Sequence, residues 1–270
     1  MSERSTRIIM LVAYSIFSLL PLYWLTSLSF QQEISFPPKP VPTSPTLSHY
    51  VGLVTESGIP IAIMNSIFVG LSVGFISVVI SSMAGYAFSK LEFPGKKFIF
   101  LGVIMTFLLP PQLNIVPLYS LFAEMSLLNS RLGMIFLYQI LVLPLNIFLF
   151  LNYFDTIKEA IVESAIIDGA GPIRRYYKIF IPLSKPAIIA AFIFGFRFSW
   201  AEYVFATTFI RSESNMLFTA ALKRAVHAGQ YTINYDYMAA GAILLLIPTL
   251  IVLIYGQKYL QIGLQLGGVD

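Results

Sequence analysis

Two charged side chains, Arg197 and Glu202, lie inside an apolar run from residue 186 to residue 210 that is long enough to cross a membrane. A charge at membrane depth is costly, and such residues usually face an aqueous cavity or a partner. Five residues on a helix separate two side chains by about 140°, so we do not expect these two to pair with each other. We expect one or both to line a path through the membrane. The alternative is that Arg197 lies near the inner boundary and extends its charged end to the interface.

A second concentration of polar residues lies in the segment 155–185, between two apolar runs. Thr156 and Glu159 have the spacing of a capping box, which predicts a short helix over 157–168. This helix is too short to span a membrane. It could offer a shaped surface to a partner protein, or it could be an interfacial helix that only completes a bundle.

A glycine turn is expected to follow this helix. Gly169 suits the left-handed residue that ends a helix, and Pro172 suits the first position of a second short helix over 173–181. Glu163, on the first helix, has no obvious partner nearby, since Lys158 lies on another turn. A partner for Glu163 on another subunit is the simplest explanation, because an ion pair across an interface can orient two subunits as well as bind them.

Other chemistries are excluded by residues that the chain lacks. It has no cysteine and two histidines, which excludes disulfides, cysteine metal sites and thiol catalysis and makes a histidine-rich metal site unexpected. The sequence contains no G-x-x-x-x-G-K-[ST] phosphate loop. We therefore expect no catalytic residue, cofactor or metal in this chain, and any ATP would be bound by a partner. The formal net charge of +4 does not require a nucleic-acid partner.

The composition indicates the class of protein that positions these residues. The chain of 270 residues is 57% hydrophobic and 11% charged, whereas soluble domains are about 25% charged. This predicts an all-α integral membrane protein, a single domain over residues 1–270 with six transmembrane helices. The predicted spans cover residues 8–30, 63–89, 98–123, 132–154, 186–210 and 237–257.

The positive charges predict the orientation of these spans. With the amino terminus inside, eleven of the 17 Lys and Arg residues lie in inner segments and five in outer segments. Cytoplasmic loops carry the excess of Lys and Arg. We therefore expect both termini and the segment 155–185 to be cytoplasmic.

Two features inside the spans each have two interpretations. Pro110, Pro111 and Pro117 interrupt the third span, either as a hinge beside a cavity or as a simple kink. Small residues recur every four positions along the second span, which permits close helix contact. They serve either the contact with a partner subunit in the membrane or packing within this chain. The small residues are Ser66, Gly70, Gly74, Ser77, Ser81 and Gly85.

The inner segment resembles the EAA loop of the permeases of ABC importers. That pattern is E-A-A, three residues, G, nine residues, I, one residue, L-P. The matching positions, with the same spacing, are Glu163, Ser164, Ala165, Gly169, Ile179, Ile181 and Pro182. Asp168 and Ala170, on either side of the glycine, also match the residues that are usual there. Ser164 and Ile181 depart from the pattern.

Further motifs are similar to the carbohydrate branch of this family. They are Asn65 with Ser66, the run 86–97, residues 117–119 and the run 198–203, where Ala201 replaces the usual Asn. The resemblance extends over about residues 65–210. The type of protein implied is the six-helix permease of maltose-type importers in a prokaryotic inner membrane, surrounded by lipid.

The resemblance implies a function, partners and residue roles. The chain would form half of a channel for a sugar or oligosaccharide delivered by an extracellular binding protein. It would pair with a second homologous permease and two cytoplasmic ATPase subunits. Glu163 would make the ionic contact with the ATPase, Ser164 and Ala165 the close-packed contacts, and Gly169, preceded by Asp168, the turn.

The candidates for the translocation path are then Trp200 and the two charged residues at membrane depth, Arg197 and Glu202. Trp200 could stack on a sugar ring, although packing is the default role in a chain with 23 Phe residues. The alternatives are an ABC importer for a non-sugar solute, an ion-coupled secondary transporter with Glu202 as its acid, and a non-transporting membrane anchor.

Overall fold

The computed structural model describes residues 3–32, 39–55, 58–227 and 233–265. Within these ranges the chain is helical, and its β-structure is one isolated antiparallel bridge between Gln31 and Pro45. The helices are α1 (Glu3–Ser29), α2 (Ser48–Thr55), α3 (Ile59–Lys90), α4 (Lys96–Leu108), α5 (Ile115–Glu124), α6 (Arg131–Asp155), α7 (Glu159–Ile167), α8 (Pro172–Leu183), α9 (Lys185–Ala201), α10 (Val204–Phe209), α11 (Phe218–Val226) and α12 (Tyr235–Gln265).

Four of the described helices, α1, α3, α6 and α12, are long and apolar enough to cross a membrane. Two bent pairs, α4 with α5 and α8 with α9, bring the number of candidate spans to six if each pair is one span. The predicted fold class, an all-α integral membrane protein, is confirmed.

The fifth predicted span is shorter than expected. A helix over 186–210 was predicted, but α9 ends at Ala201 and a separate helix, α10, begins at Val204. The break occurs because Glu202 has extended backbone angles, φ −69° and ψ 132°, and its carboxylate accepts hydrogen bonds from the first amides of α10.

The prolines of the third span mark a sharp bend. The axis turns by 98° between Lys96–Leu108 and Pro111–Glu124. Pro111 begins a 3₁₀ turn, where a missing amide hydrogen removes no helical hydrogen bond. Pro117 lies in the first turn of α5, whose amides have no intrahelical acceptor in any case. The predicted interruption of this span is confirmed.

The core is formed where α3 packs against α6 and α9. A Cβ atom added to Gly74 would lie 2.9 Å from the Phe192 ring of α9, and one added to Gly85 would lie 2.6 Å from Cβ of Phe150 in α6. Asn146 of α6 joins the same contact by donating to Ser77 Oγ at 3.2 Å. The small residues of α3 therefore pack within this chain, as the second interpretation proposed.

Candidate functional site

The first helix of the inner segment, α7, begins later than the capping box predicted. Its N-cap residue is Lys158, whose side chain makes no capping hydrogen bond. The Thr156 hydroxyl instead donates to the Tyr153 carbonyl at 2.7 Å. The capping box is wrong because α6 continues to Asp155 and the threonine satisfies a carbonyl at the end of that helix.

The turn after α7 explains why a glycine stands at position 169. Gly169 has φ +74°, which confirms the predicted left-handed conformation. Its amide donates to the Ile166 carbonyl at 2.9 Å, and the Ala170 amide donates to the Ala165 carbonyl at 2.8 Å. These two bonds form a Schellman motif. An added Cβ would have nothing within 4 Å, so the requirement for glycine comes from the backbone angle alone.

The side chains of α7 divide into an attached face and an exposed face. Val162 is buried and holds the helix against the bundle. Glu163, Ser164 and Asp168 are exposed, and Ala165 is half-buried. Large apolar side chains are exposed beside them, namely Ile161, Ile166, Ile167 and Ile173. The resulting surface is mixed apolar and acidic, with Ile167 as much as 85% exposed.

The second helix, α8, extends beyond its predicted end at residue 181. It begins at Pro172, as expected, but continues to Leu183 and then bends by 80° into α9. Residues Tyr176–Phe180 form a π-helical turn in which the Ile181 amide donates to the Tyr176 carbonyl, five residues back. This wider turn precedes Pro182, and it lets the helix continue past a residue that has no amide hydrogen.

An aromatic cluster joins this inner segment to the bundle. Its buried members are Tyr86, Phe150, Phe154, Ile157, Val162, Tyr176, Phe180, Ala187 and Ala191. Two hydroxyl groups add directional bonds from α3 to α8. Tyr86 Oη donates to the Pro172 carbonyl at 3.0 Å, and Tyr176 Oη lies 2.8 Å from Ser82 Oγ.

Sequence reasoning missed these two tyrosines as members of the site. The available signal was a polar aromatic residue near the carboxyl end of the second span and a second one in the segment 155–185. Periodicity could not show that their hydroxyls meet partners 86 and 94 residues away.

The three residues proposed for the translocation path lie in different environments. Arg197 is exposed and lines a cavity of about 420 Å³ beside the bend between α4 and α5. Trp200 and Glu202 are not among the residues that line this cavity. The structure therefore brings only Arg197 of the three to it.

Trp200 and Glu202 fix the end of α9 instead. Trp200 is buried, and its indole Nε1 donates to the Leu245 carbonyl of α12 at 2.9 Å. One carboxylate oxygen of Glu202 accepts from the Phe205 amide at 2.9 Å. The other accepts from the Ala206 amide and from Tyr138 Oη, each at 3.0 Å.

Comparison with known proteins identifies the family. The family profile described as "Binding-protein-dependent transport system inner membrane component" matches residues 77–264. The chain belongs to this family. It is a multi-pass inner-membrane permease of an ABC importer and a transport subunit rather than an enzyme, with ATP handled by the ATPase of the system. Family membership excludes the ion-coupled transporter and the membrane anchor as alternatives.

Individual relatives agree with this assignment. A probable ABC transporter permease of Pyrococcus horikoshii is 31% identical over 83% of this permease and 81% of its own length. The trehalose transport system permease of Mycobacterium tuberculosis is 29% identical, over 94% and 93% respectively. A crystal structure of a bacterial ABC transporter that imports the acidic polysaccharide alginate contains a chain with the same fold. Its TM-score is 0.78 at 23% identity, and the match covers 96% of this permease and 99% of that chain.

Proposed function

We propose that this permease forms half of the channel of an ATP-driven importer for a sugar or an oligosaccharide. The trehalose permease and the alginate transporter, which match nearly the full chain, support a carbohydrate as solute. Their names include one neutral and one acidic carbohydrate, so they leave the charge of the solute open. An importer of this type also contains a second homologous permease, two cytoplasmic ATPase subunits and an extracellular binding protein.

The exposed face of α7 is the proposed docking surface for an ATPase subunit. Within the described residues, the Glu163 carboxylate makes no hydrogen bond or ion pair, although it stands beside exposed isoleucines. An unpaired acid on a mixed apolar and polar surface suits a protein partner that supplies a basic group. The observation that supports this proposal most is the packing of α7 and α8 against the aromatic cluster. Because that cluster also includes residues of α3 and α6, a movement of α7 would be transmitted to these two helices.

Glu163 would contact a basic residue of the ATPase, and Ser164 and Ala165 would pack closely against it. Asp168 and Gly169 would act through the turn that follows α7. The Ser164 hydroxyl donates to the Ala160 carbonyl at 2.8 Å, so it is already satisfied within the helix and can enter an interface without an unpaired donor.

In the membrane, we propose that Arg197 faces the translocation path and that Trp200 and Glu202 position the helix end that carries it. The cavity beside Arg197 supports the first role, and the hydrogen bonds of the other two support the second. We also propose that both termini and the α7–α8 segment are cytoplasmic, because Lys and Arg concentrate on that side.

Co-purification and uptake test the proposed function together. We expect an ATPase subunit to remain bound to the affinity-tagged chain in mild detergent. Proteoliposomes that contain the complex should take up a sugar only when ATP is on the side of the membrane that carries the ATPase subunits and the binding protein is on the opposite side. Uptake that needs an ion gradient and no ATP would contradict the proposal.

A further inference from the structure

Arg197 lies deep within its span. It follows Lys185, the first residue of α9, by twelve positions, which corresponds to about 18 Å along a helix axis. The hydrocarbon core of a bilayer is about 30 Å thick. A guanidinium at this depth does not lie at the inner interface, so it needs either water or an opposite charge around it.

The cavity beside Arg197 is partly open, since Arg197 itself and Phe107 are exposed. Its walls come from the bend between α4 and α5, from α6 and from α9. They include two neutral polar side chains, Thr106 and Asn114, together with apolar residues such as Pro144 and Phe198. No Asp or Glu is among the described residues that line it. The cavity therefore presents one positive charge and two uncharged hydrogen-bonding groups.

Arg197 has no counter-charge among the residues that the structure describes. Within the parts of the chain that the structure describes, its guanidinium makes no hydrogen bond or ion pair. Glu202, the nearest acid in the sequence, is engaged by two backbone amides and the Tyr138 hydroxyl. Since the described residues supply no partner, an anion that pairs with Arg197 would come from outside this subunit. A guanidinium with a planar set of donors matches a carboxylate in two parallel hydrogen bonds.

From these observations we propose that the solute is an acidic carbohydrate and that Arg197 is the residue that selects its carboxylate during passage. The neutral groups of Thr106 and Asn114 are suited to sugar hydroxyls in the same cavity. This inference rests on the proposed function and narrows its substrate class. A carboxylate of the second permease is the other source of such an anion, and the experiments below distinguish it from the solute.

Chemical restoration of the charge tests the role of Arg197 in a chain that has no native cysteine. Arg197→Cys, in the reconstituted importer, should lose uptake of its solute. Treatment with methanethiosulfonate ethylammonium should restore uptake by about tenfold or more, because it returns a cation to the cavity. Methyl methanethiosulfonate, which adds a neutral group, should not restore it. Arg197→Ser treated with both reagents is the control for thiols on the other subunits. Equal restoration by both reagents would overturn the proposal.

A second experiment tests the solute class with matched pairs of disaccharides, each a uronate form and its neutral counterpart, such as digalacturonate and galactobiose. We expect the wild-type importer to take up a uronate form. Arg197→Met should lower the uptake of the uronate form relative to that of its neutral counterpart by about tenfold or more. Wild-type uptake of neutral sugars alone would overturn the proposal.

Two other outcomes are distinguishable from these. An equal loss of all uptake in Arg197→Met, with a weaker association of the two permeases, would assign the counter-charge to the second permease and overturn the proposal. If no solute of either kind is taken up with ATP, the proposed function itself is contradicted.

Discussion

Two tyrosine hydroxyls form directional bonds between α8 and α3, the helix of the second span. Tyr86 donates to the Pro172 carbonyl at 3.0 Å, and Tyr176 lies 2.8 Å from Ser82 Oγ. Ser82 also donates to the Val79 carbonyl at 3.1 Å, and Pro172 is exposed to solvent. Loss of either tyrosine hydroxyl therefore leaves no buried group stranded without a partner.

We expect Tyr86→Phe and Tyr176→Phe together to uncouple transport from ATP hydrolysis. Each change removes one hydrogen bond worth about 1 kcal/mol and keeps the ring. The sum, about 2 kcal/mol, shifts the equilibrium between attached and detached α8 about 30-fold. The ring contacts remain, with Tyr86 and Phe180 centroids 4.8 Å apart, so the segment should stay folded and the ATPase should still bind.

The assay is the ratio of solute taken up to ATP hydrolysed in proteoliposomes that contain the complete importer. The double variant should show a lower ratio, with ATPase binding unchanged. Tyr177→Phe is the matched control, since Tyr177 is the exposed neighbour of Tyr176 and takes part in neither bond. An unchanged ratio in the double variant would refute the idea that these bonds transmit motion.

Three further predictions concern the turn, the orientation and the end of α9. Gly169→Ala should destabilise the turn by about 1–2 kcal/mol, because alanine resists a φ of +74°, and should weaken ATPase binding. Gly171→Ala, at φ −63°, should leave binding unchanged. Equal binding by both variants would contradict this. A cysteine introduced at Lys96 should react with impermeant reagents only from the cytoplasmic side, and labelling in intact cells would overturn the orientation. Glu202→Ala should lower the free energy of unfolding by about 1–2 kcal/mol, because it removes the cap of α10 and the Tyr138 bond. Glu202→Gln should lower it less. Equal unfolding temperatures for the two variants would contradict the capping role.

The sequence predicted the features of this permease that depend on local patterns. Apolar runs of about 20 residues predict spans because a bilayer has a nearly fixed thickness. Gly169 was predicted as a left-handed turn because few other residues adopt that conformation without strain. Proline predicted the bend of the third span because the residue before a proline disfavours the helical conformation, and Leu109 and Pro110 are both extended.

Features that depend on contacts between distant residues were not predictable. The capping box at Thr156 was wrong because the hydroxyl had a competing acceptor on α6. The end of α9 was misplaced because a carboxylate inside an apolar run does not reveal that it will cap the next helix. The bond from Tyr86 to Pro172 joins residues 86 positions apart, which no periodicity records.

Docking of an ATPase subunit on α7 through Glu163 is tested most directly by the affinity of the ATPase for membranes that contain each variant. Glu163→Lys should weaken that affinity by about tenfold or more and abolish ATP-driven uptake, while the spans still insert. Glu92→Lys, at an exposed position that forms a surface ion pair with Lys96, is the control for charge reversal away from α7, since such a pair contributes little. A compensating charge reversal on the ATPase should restore part of the affinity. Full affinity and full uptake in Glu163→Lys would contradict the account and leave α7 as no more than the inner rim of the bundle.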